Sequence, residues 1–81
     1  MSYPGVGVNI LLLDQVDDEL CQAERKHGPI HSLHEGLAVI DEELHEFRME
    51  VYKDQPNYEH ARRELIQVAA MALRTIKDCC L

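Results

Sequence analysis

The sequence has few aromatic residues and few glycines. Tryptophan is absent, phenylalanine occurs once, and only three tyrosines are present. These residues form no stacking site for a nucleobase, and the one phenylalanine, Phe47, belongs to an apolar helix face described below. The four glycines form no glycine-rich phosphate loop. Any phosphate group must therefore be bound through side chains and a metal ion.

Basic residues are also scarce. Eight lysines and arginines stand against fifteen acidic residues, which gives a formal net charge of −7. Proteins that bind a nucleic-acid polymer present a basic surface, so this composition argues against such a partner. A nucleotide is still allowed, because divalent cations can neutralise both a triphosphate and an acidic site.

The cysteine content and the apolar runs bear on the compartment. The three cysteines, Cys21, Cys79 and Cys80, are odd in number and form no disulfide framework, which favours reduced thiols. The apolar run at residues 8–13 is far shorter than the roughly 20 residues that cross a bilayer, and no basic segment of a signal peptide precedes it. We therefore expect a cytoplasmic protein with no membrane partner.

The hydrophobic pattern predicts an all-α chain of three helices. Residues 1–8 read as an irregular arm and residues 9–81 as a single domain. The first helix is expected over residues 9–27, with Asn9 as its N-cap and Gly28-Pro29 as its stop. Its buried stripe consists of Leu13, Val16, Leu20 and Ala23.

The second and third helices carry longer apolar faces. A capping box of Ser32 and Glu35 predicts a start at residue 32 and a helix to about residue 53. The third helix is predicted over residues 57–79. The seam of the second helix is Leu37, Ile40, Leu44, Phe47 and Val51, and the stripe of the third is Ala61, Leu65, Val68, Ala72 and Ile76.

So short a chain has a small core. The third helix is apolar nearly all round, so part of its cover is expected from another subunit. These features predict a helical bundle completed by a homodimer or a homotetramer.

Acidic side chains gather beside these apolar faces. Glu43 and Glu46 are three residues apart and share a side of the second helix, while Glu64 and Gln67 do the same on the third. If the two helices pack antiparallel, the four side chains face one another across a groove. Carboxylate and amide oxygens are hard ligands that suit Mg²⁺ or Mn²⁺. The alternative is a solvated acidic face, which arises easily in a protein of this charge.

Two segments resemble the MazG-like branch of the all-α nucleoside triphosphate pyrophosphohydrolases. That superfamily is marked by E-E-x-x-E, a spacer, and E-x-x-D. Here "EELHE" at 42–46 is followed by "ELIQVAAMALR" at 64–74 on the next helix. The likeness covers roughly half of the chain or more, and the first helix also resembles small phage and bacterial members of the group.

The resemblance implies hydrolysis of the α–β phosphoanhydride of a nucleoside triphosphate, to a monophosphate and pyrophosphate. House-cleaning of non-canonical nucleotides is a role that the resemblance allows. It implies Mg²⁺ or Mn²⁺ bound by Glu43, Glu46 and Glu64, with Gln67 at the position of the last acid. Glu42 and Glu43 would be catalytic, Glu42 by orienting or deprotonating the attacking water.

Two questions stay open at this point. Gln67 replaces an aspartate of the motif and contributes no negative charge, so the chain could instead be a degenerate helical module that binds metal, nucleotide or a protein without hydrolysis. The phosphates also require cations, for which Arg74, Lys53 and Lys77 are the candidates.

Overall fold

A computed structural model describes Gly7 and residues 9–81 and confirms the all-α prediction. The chain forms α1 (Ile10–His27), α2 (Leu33–Val51) and α3 (Tyr58–Asp78), and the described residues contain no strand. Apart from Gly7, the irregular arm predicted for residues 1–8 lies outside the described residues. No helix in the described part of the chain has both the length and the apolar character needed to span a membrane.

Local capping interactions set the helix starts close to the predicted positions. The Asn9 side chain accepts a hydrogen bond from the Leu12 N–H at 2.9 Å, and Asn57 does the same for the His60 N–H at 3.1 Å. The Ser32 hydroxyl accepts from the Glu35 N–H at 3.1 Å. The capping box differs in its second half, because the Glu35 carboxylate accepts from the His31 N–H instead of from Ser32.

The helices also end through interactions between residues that are close in the sequence. Gly28 terminates α1 with a φ of 73°, a left-handed conformation that glycine adopts without a steric cost, and its N–H donates to the Glu24 carbonyl. Helix α2 ends at Val51, two residues before the predicted end. The buried carboxylate of Glu50 holds the following connection by accepting from the Asn57 N–H at 2.8 Å and from Lys53 Nζ at 3.0 Å. These bonds lower the pKa of Glu50, the Asn57 N–H contributing most.

Helix α3 is the central element. Both α1 and α2 pack on it, and among the described residues α1 and α2 do not pack on each other. Gly36 near the start of α2 meets Thr75 near the end of α3, so these two helices run antiparallel. The core lies between α1 and α3 and consists of Val16, Leu20, Ala70 and Met71. A groove is left between α1 and α2 with α3 as its floor.

The apolar seams predicted for α2 and α3 are only partly buried within the described chain. Leu37 on α2 is 58% exposed and Leu65 on α3 is 48% exposed, whereas Ile40 and Phe47 are half-buried. The side of α3 that is buried instead carries Ala70, Met71, Arg74 and Thr75. The buried stripe predicted for α1 is confirmed at Val16 and Leu20 but is wrong at Leu13, which is 51% exposed because the core lies further along the helix. The apolar faces predicted for α2 and α3 are not the centre of the core.

Candidate metal centre

Three carboxylates converge where α2 crosses α3. Glu43 and Glu46 come from adjacent turns of α2 and Glu64 from the second turn of α3, and one oxygen of each lies within 4.8 Å of the others. The antiparallel packing brings them together, because the middle of α2 then faces the start of α3. Glu43 and Glu64 are half-buried and Glu46 is exposed, so the cluster is open on one side.

Two oxygens of this cluster have no hydrogen-bond donor. Oε2 of Glu43 and Oε2 of Glu64 are both shielded from solvent, and neither accepts a hydrogen bond from the described residues. A buried acceptor without a partner is costly, and such atoms are rare in folded proteins. Either a proton on one of the carboxyls or a cation between them would satisfy these oxygens.

The electrostatics of the cluster agree with this description. Burial, followed by the charges of Glu46 and Glu64, raises the pKa of Glu43 to about 7. Burial also raises the pKa of Glu64, with Glu46 as the next cause. Carboxylates this close repel one another when all are ionised, and either a proton or a cation relieves the repulsion.

The other predicted ligands and catalytic groups lie nearby in different settings. Glu42 is exposed and lines the groove beside Glu43. Gln67 is half-buried on the groove floor, and its Nε2 donates to Oε1 of Glu19 on α1 at 3.3 Å. The Gln67 amide therefore links α3 to α1.

The three predicted phosphate-binding cations are separated by the fold. Arg74 is 3% exposed and lines the groove. Lys53 pairs with Glu50 in the α2–α3 connection, and Lys77 pairs with Glu24 at 2.7 Å. Neither lysine is among the residues that line the groove, and both are neutralised by an acid.

The groove contains two charged residues that the sequence reasoning missed. It encloses about 440 Å³ and is lined by all three helices. Glu19 and Lys26 of α1 contribute to its wall, seven residues and so two turns apart on the same side of the helix. Their spacing beside the buried Leu20 was a usable signal, but only the position of α1 relative to α2 shows that they line the groove.

Comparison of the chain with protein-family models, with curated proteins and with solved structures gave no match. The arguments for a function therefore come from the residues of the groove.

One consequence of the cluster is a pH-dependent stability that the Glu43→Gln variant should remove. In the unfolded chain this carboxyl titrates near 4.5 and in the folded chain near 7, so the folded state holds the proton more tightly. Below pH 4.5 both states are protonated and the shift has no effect. As pH rises to 7 the metal-free wild type loses stability relative to the variant.

The full shift corresponds to roughly 3 kcal/mol, and solvent screening at this half-buried site reduces it to about 1 kcal/mol. Urea unfolding in EDTA at several pH values measures the difference. Asp41→Asn, an exposed acid on the same helix, is the matched control and should show no such gain. A Glu43→Gln protein less stable than the wild type above pH 7 would contradict the description of the cluster.

Proposed function

We propose that the chain is a nucleoside triphosphate pyrophosphohydrolase that depends on Mg²⁺ or Mn²⁺. The observation that carries the proposal is the pair of shielded, unpartnered oxygens on Glu43 and Glu64, next to a third carboxylate from Glu46. On a fully solvated acidic face water would reach these oxygens, whereas here both are shielded from solvent. Three carboxylates fit the preference of both cations for hard oxygen ligands.

In this proposal Glu43, Glu46 and Glu64 would hold the divalent cation, which would supply neutralising charge for the phosphates and lower the pKa of water. Glu42 lies on the groove beside the cluster and accepts the proton of the attacking water. The oxygen of that water forms a bond to the α-phosphorus, the bond from this phosphorus to the bridging oxygen breaks, and pyrophosphate leaves with the bonding electrons.

The groove accounts for the other needs of such a substrate. Arg74 lines its floor and, in this proposal, supplies positive charge for the phosphates. Lys53 and Lys77 stay outside it in ion pairs, so we no longer include them among the phosphate-binding groups.

The partly exposed apolar faces support self-association into a homodimer or a homotetramer. Large apolar patches on a protein surface mark interaction sites. This chain exposes many apolar side chains on the faces of α2 and α3. On α2 and α3 these include Leu37, Leu44, Val51, Leu65, Leu73 and Ile76. The molar mass in solution, measured by light scattering, tests this part of the proposal.

The direct test of the reaction is pyrophosphate release from a panel of standard and modified nucleoside triphosphates, with Mg²⁺ or Mn²⁺ and with EDTA as the blank. We expect release that requires the divalent cation. Absence of release from every member of the panel, with a folded protein, would reject the enzymatic proposal.

A second candidate is a module that binds metal and nucleotide without hydrolysis. The specific observation in its favour is Gln67, which is neutral and has its amide engaged by Glu19.

The Gln67→Asp variant separates the two candidates. An added carboxylate next to the cluster should strengthen metal binding, and we expect half-maximal activity at a several-fold lower Mn²⁺ concentration. Metal titrations of pyrophosphate release measure this, with Gln22→Glu, an added acid on the α1 wall of the groove, as the control for charge alone. Release by Gln67→Asp but none by the wild type would establish the non-hydrolytic candidate for the native chain.

A further inference from the structure

The guanidinium of Arg74 is a buried cation without an acidic partner. The residue is 3% exposed in a protein of net charge −7, yet it forms no ion pair with any described carboxylate. One terminal nitrogen donates to the Gly28 carbonyl at 2.7 Å and the other contacts the Met71 sulfur at 3.2 Å. Its Nε is shielded from solvent and has no acceptor. Buried charges are normally paired, so this arginine points to an anion that comes from outside the chain.

A second cation lies on the same groove. Lys26, in the last turn of α1, lines the groove together with His27 and Arg74. Of the three lysines in the sequence, Lys53 and Lys77 are paired with acids, whereas Lys26 forms no ion pair within the described part of the chain.

The acids near this end of the groove are engaged elsewhere. Glu35 accepts from the backbone N–H of His31 and contacts its ring, both at 3.4 Å. Asp78 accepts from the Ile30 N–H at 2.8 Å. The positive charges of Arg74 and Lys26 are therefore not cancelled by direct contact with these carboxylates.

This basic end is distinct from the carboxylate cluster. Arg74 lies ten residues beyond Glu64 on α3, which separates their backbones by about 15 Å along the helix. Glu43, one of the three clustered carboxylates, lines the same groove as Arg74. An elongated anionic ligand can therefore contact the acids through a metal at one end and the cations directly at the other.

We infer that Arg74, Lys26 and His27 form a phosphate-binding site that works without a metal ion, and that it receives the terminal phosphates of the substrate. The assignment of the anion as the terminal phosphates rests on the proposed function, whereas the site itself rests on the unpaired cations. A planar guanidinium and a lysine ammonium are the usual donors to phosphate oxygens. Lys26 is the new element, because its charge is open to the groove.

The test is calorimetric titration of the full chain with inorganic pyrophosphate in EDTA, so that no divalent cation contributes. We expect the wild type to bind and Lys26→Met to weaken binding by about fivefold or more. Lys77→Met, a lysine paired outside the groove, is the matched control and should bind as the wild type does. Glu43→Gln should bind at least as well, because it removes a negative charge from the groove.

Arg74→Lys is a second variant for the same titration with pyrophosphate. A thermal melt shows that this variant is folded. Lack of pyrophosphate binding by the wild type, or equal weakening by Lys26→Met and Lys77→Met, would overturn the inference.

Hydrolysis assays distinguish failure of the inferred phosphate-binding site from failure of the proposed function. Pyrophosphate binding that depends on Lys26, without hydrolysis of any nucleotide, keeps the site and rejects the enzyme. Metal-dependent hydrolysis whose KM is unchanged by Lys26→Met, without pyrophosphate binding, keeps the enzyme and rejects the site.

Discussion

Metal-dependent pyrophosphate release is expected to be lost when Glu64 is replaced by glutamine, and the same is expected for Glu43→Gln. Each change removes one charge from a set of three carboxylates while keeping the size of the side chain. Loss of an outer partner of a metal ligand costs about 10–100-fold in affinity or activity, and loss of a ligand should cost more than that. We therefore expect kcat/KM to fall by more than a hundredfold.

Thermal melts give a readout that does not depend on turnover. A cation at ten times its Kd stabilises the folded state by about 1.4 kcal/mol, which raises the Tm of a domain of this size by roughly 5–10 °C. The wild type should show this response to Mn²⁺, and Glu43→Gln and Glu64→Gln should not.

The matched controls also replace a carboxylate by an amide, but at positions outside the cluster. Asp41→Asn on α2 and Glu59→Gln on α3 neutralise exposed acids outside the cluster, and they should retain both activity and the response to Mn²⁺. The stability gain expected for Glu43→Gln in EDTA excludes unfolding as the cause of its lost activity. Full activity in both cluster variants would remove the basis of the proposed function.

Local signals in the sequence were sufficient to predict the three helices. Asn9, Ser32 and Asn57 cap helices through their own side chains, and Gly28 ends α1 through its own backbone. These interactions span only a few residues, so the residues in the sequence determine them directly. The end of α2 was predicted less accurately, because it depends on the Glu50 carboxylate accepting a hydrogen bond from Asn57, seven residues away.

The expected meeting of Glu43, Glu46 and Glu64 used one assumption beyond local pattern, namely that α2 and α3 are antiparallel neighbours. A short connection between two helices makes that arrangement the usual one. The structure has it, and the three carboxylates lie together.

The sequence predicted Arg74 as a phosphate-binding residue, but that Lys26 joins it at one end of the groove could not be predicted, for a physical reason. Arg74 is fixed by the carbonyl of Gly28, 46 residues away, and Lys26 lines the groove only because α1 lies across it from α2. Helical periodicity gives the face on which a residue lies and not the element opposite that face. The same limit explains why the exposed seam of α2 was recognisable as apolar but could not be assigned to the core or to a partner.

The close contact between Gly36 and Thr75 should determine both the stability of the fold and the spacing of the carboxylates. A Cβ added at Gly36 would lie 2.5 Å from Cγ2 and 2.6 Å from Oγ1 of Thr75. The threonine cannot easily turn away, because it is buried and its hydroxyl donates to the Met71 carbonyl at 2.9 Å. Relief therefore requires α2 to move away from α3.

We expect Gly36→Ala to destabilise the protein by about 1–3 kcal/mol, the usual cost of inserting a methyl group into a packed contact. The sign of the change in unfolding free energy is informative, because a glycine-to-alanine change at an open helical position stabilises a protein by roughly 1 kcal/mol through helix propensity. Gly36 lies seven residues before Glu43 on the same side of α2. A displaced α2 should therefore also weaken the response of the Tm to Mn²⁺.

A double-mutant cycle with Thr75→Ala tests the mechanism. Removing the threonine side chain leaves room for the new methyl group, so Gly36→Ala should cost less in the Thr75→Ala background, with a coupling of about 1–2 kcal/mol. The response to Mn²⁺ should recover together with stability, because both depend on the same distance between α2 and α3. Additive effects of the two substitutions on unfolding in urea, or a Gly36→Ala protein as stable as the wild type, would show that this contact does not set the distance between the helices.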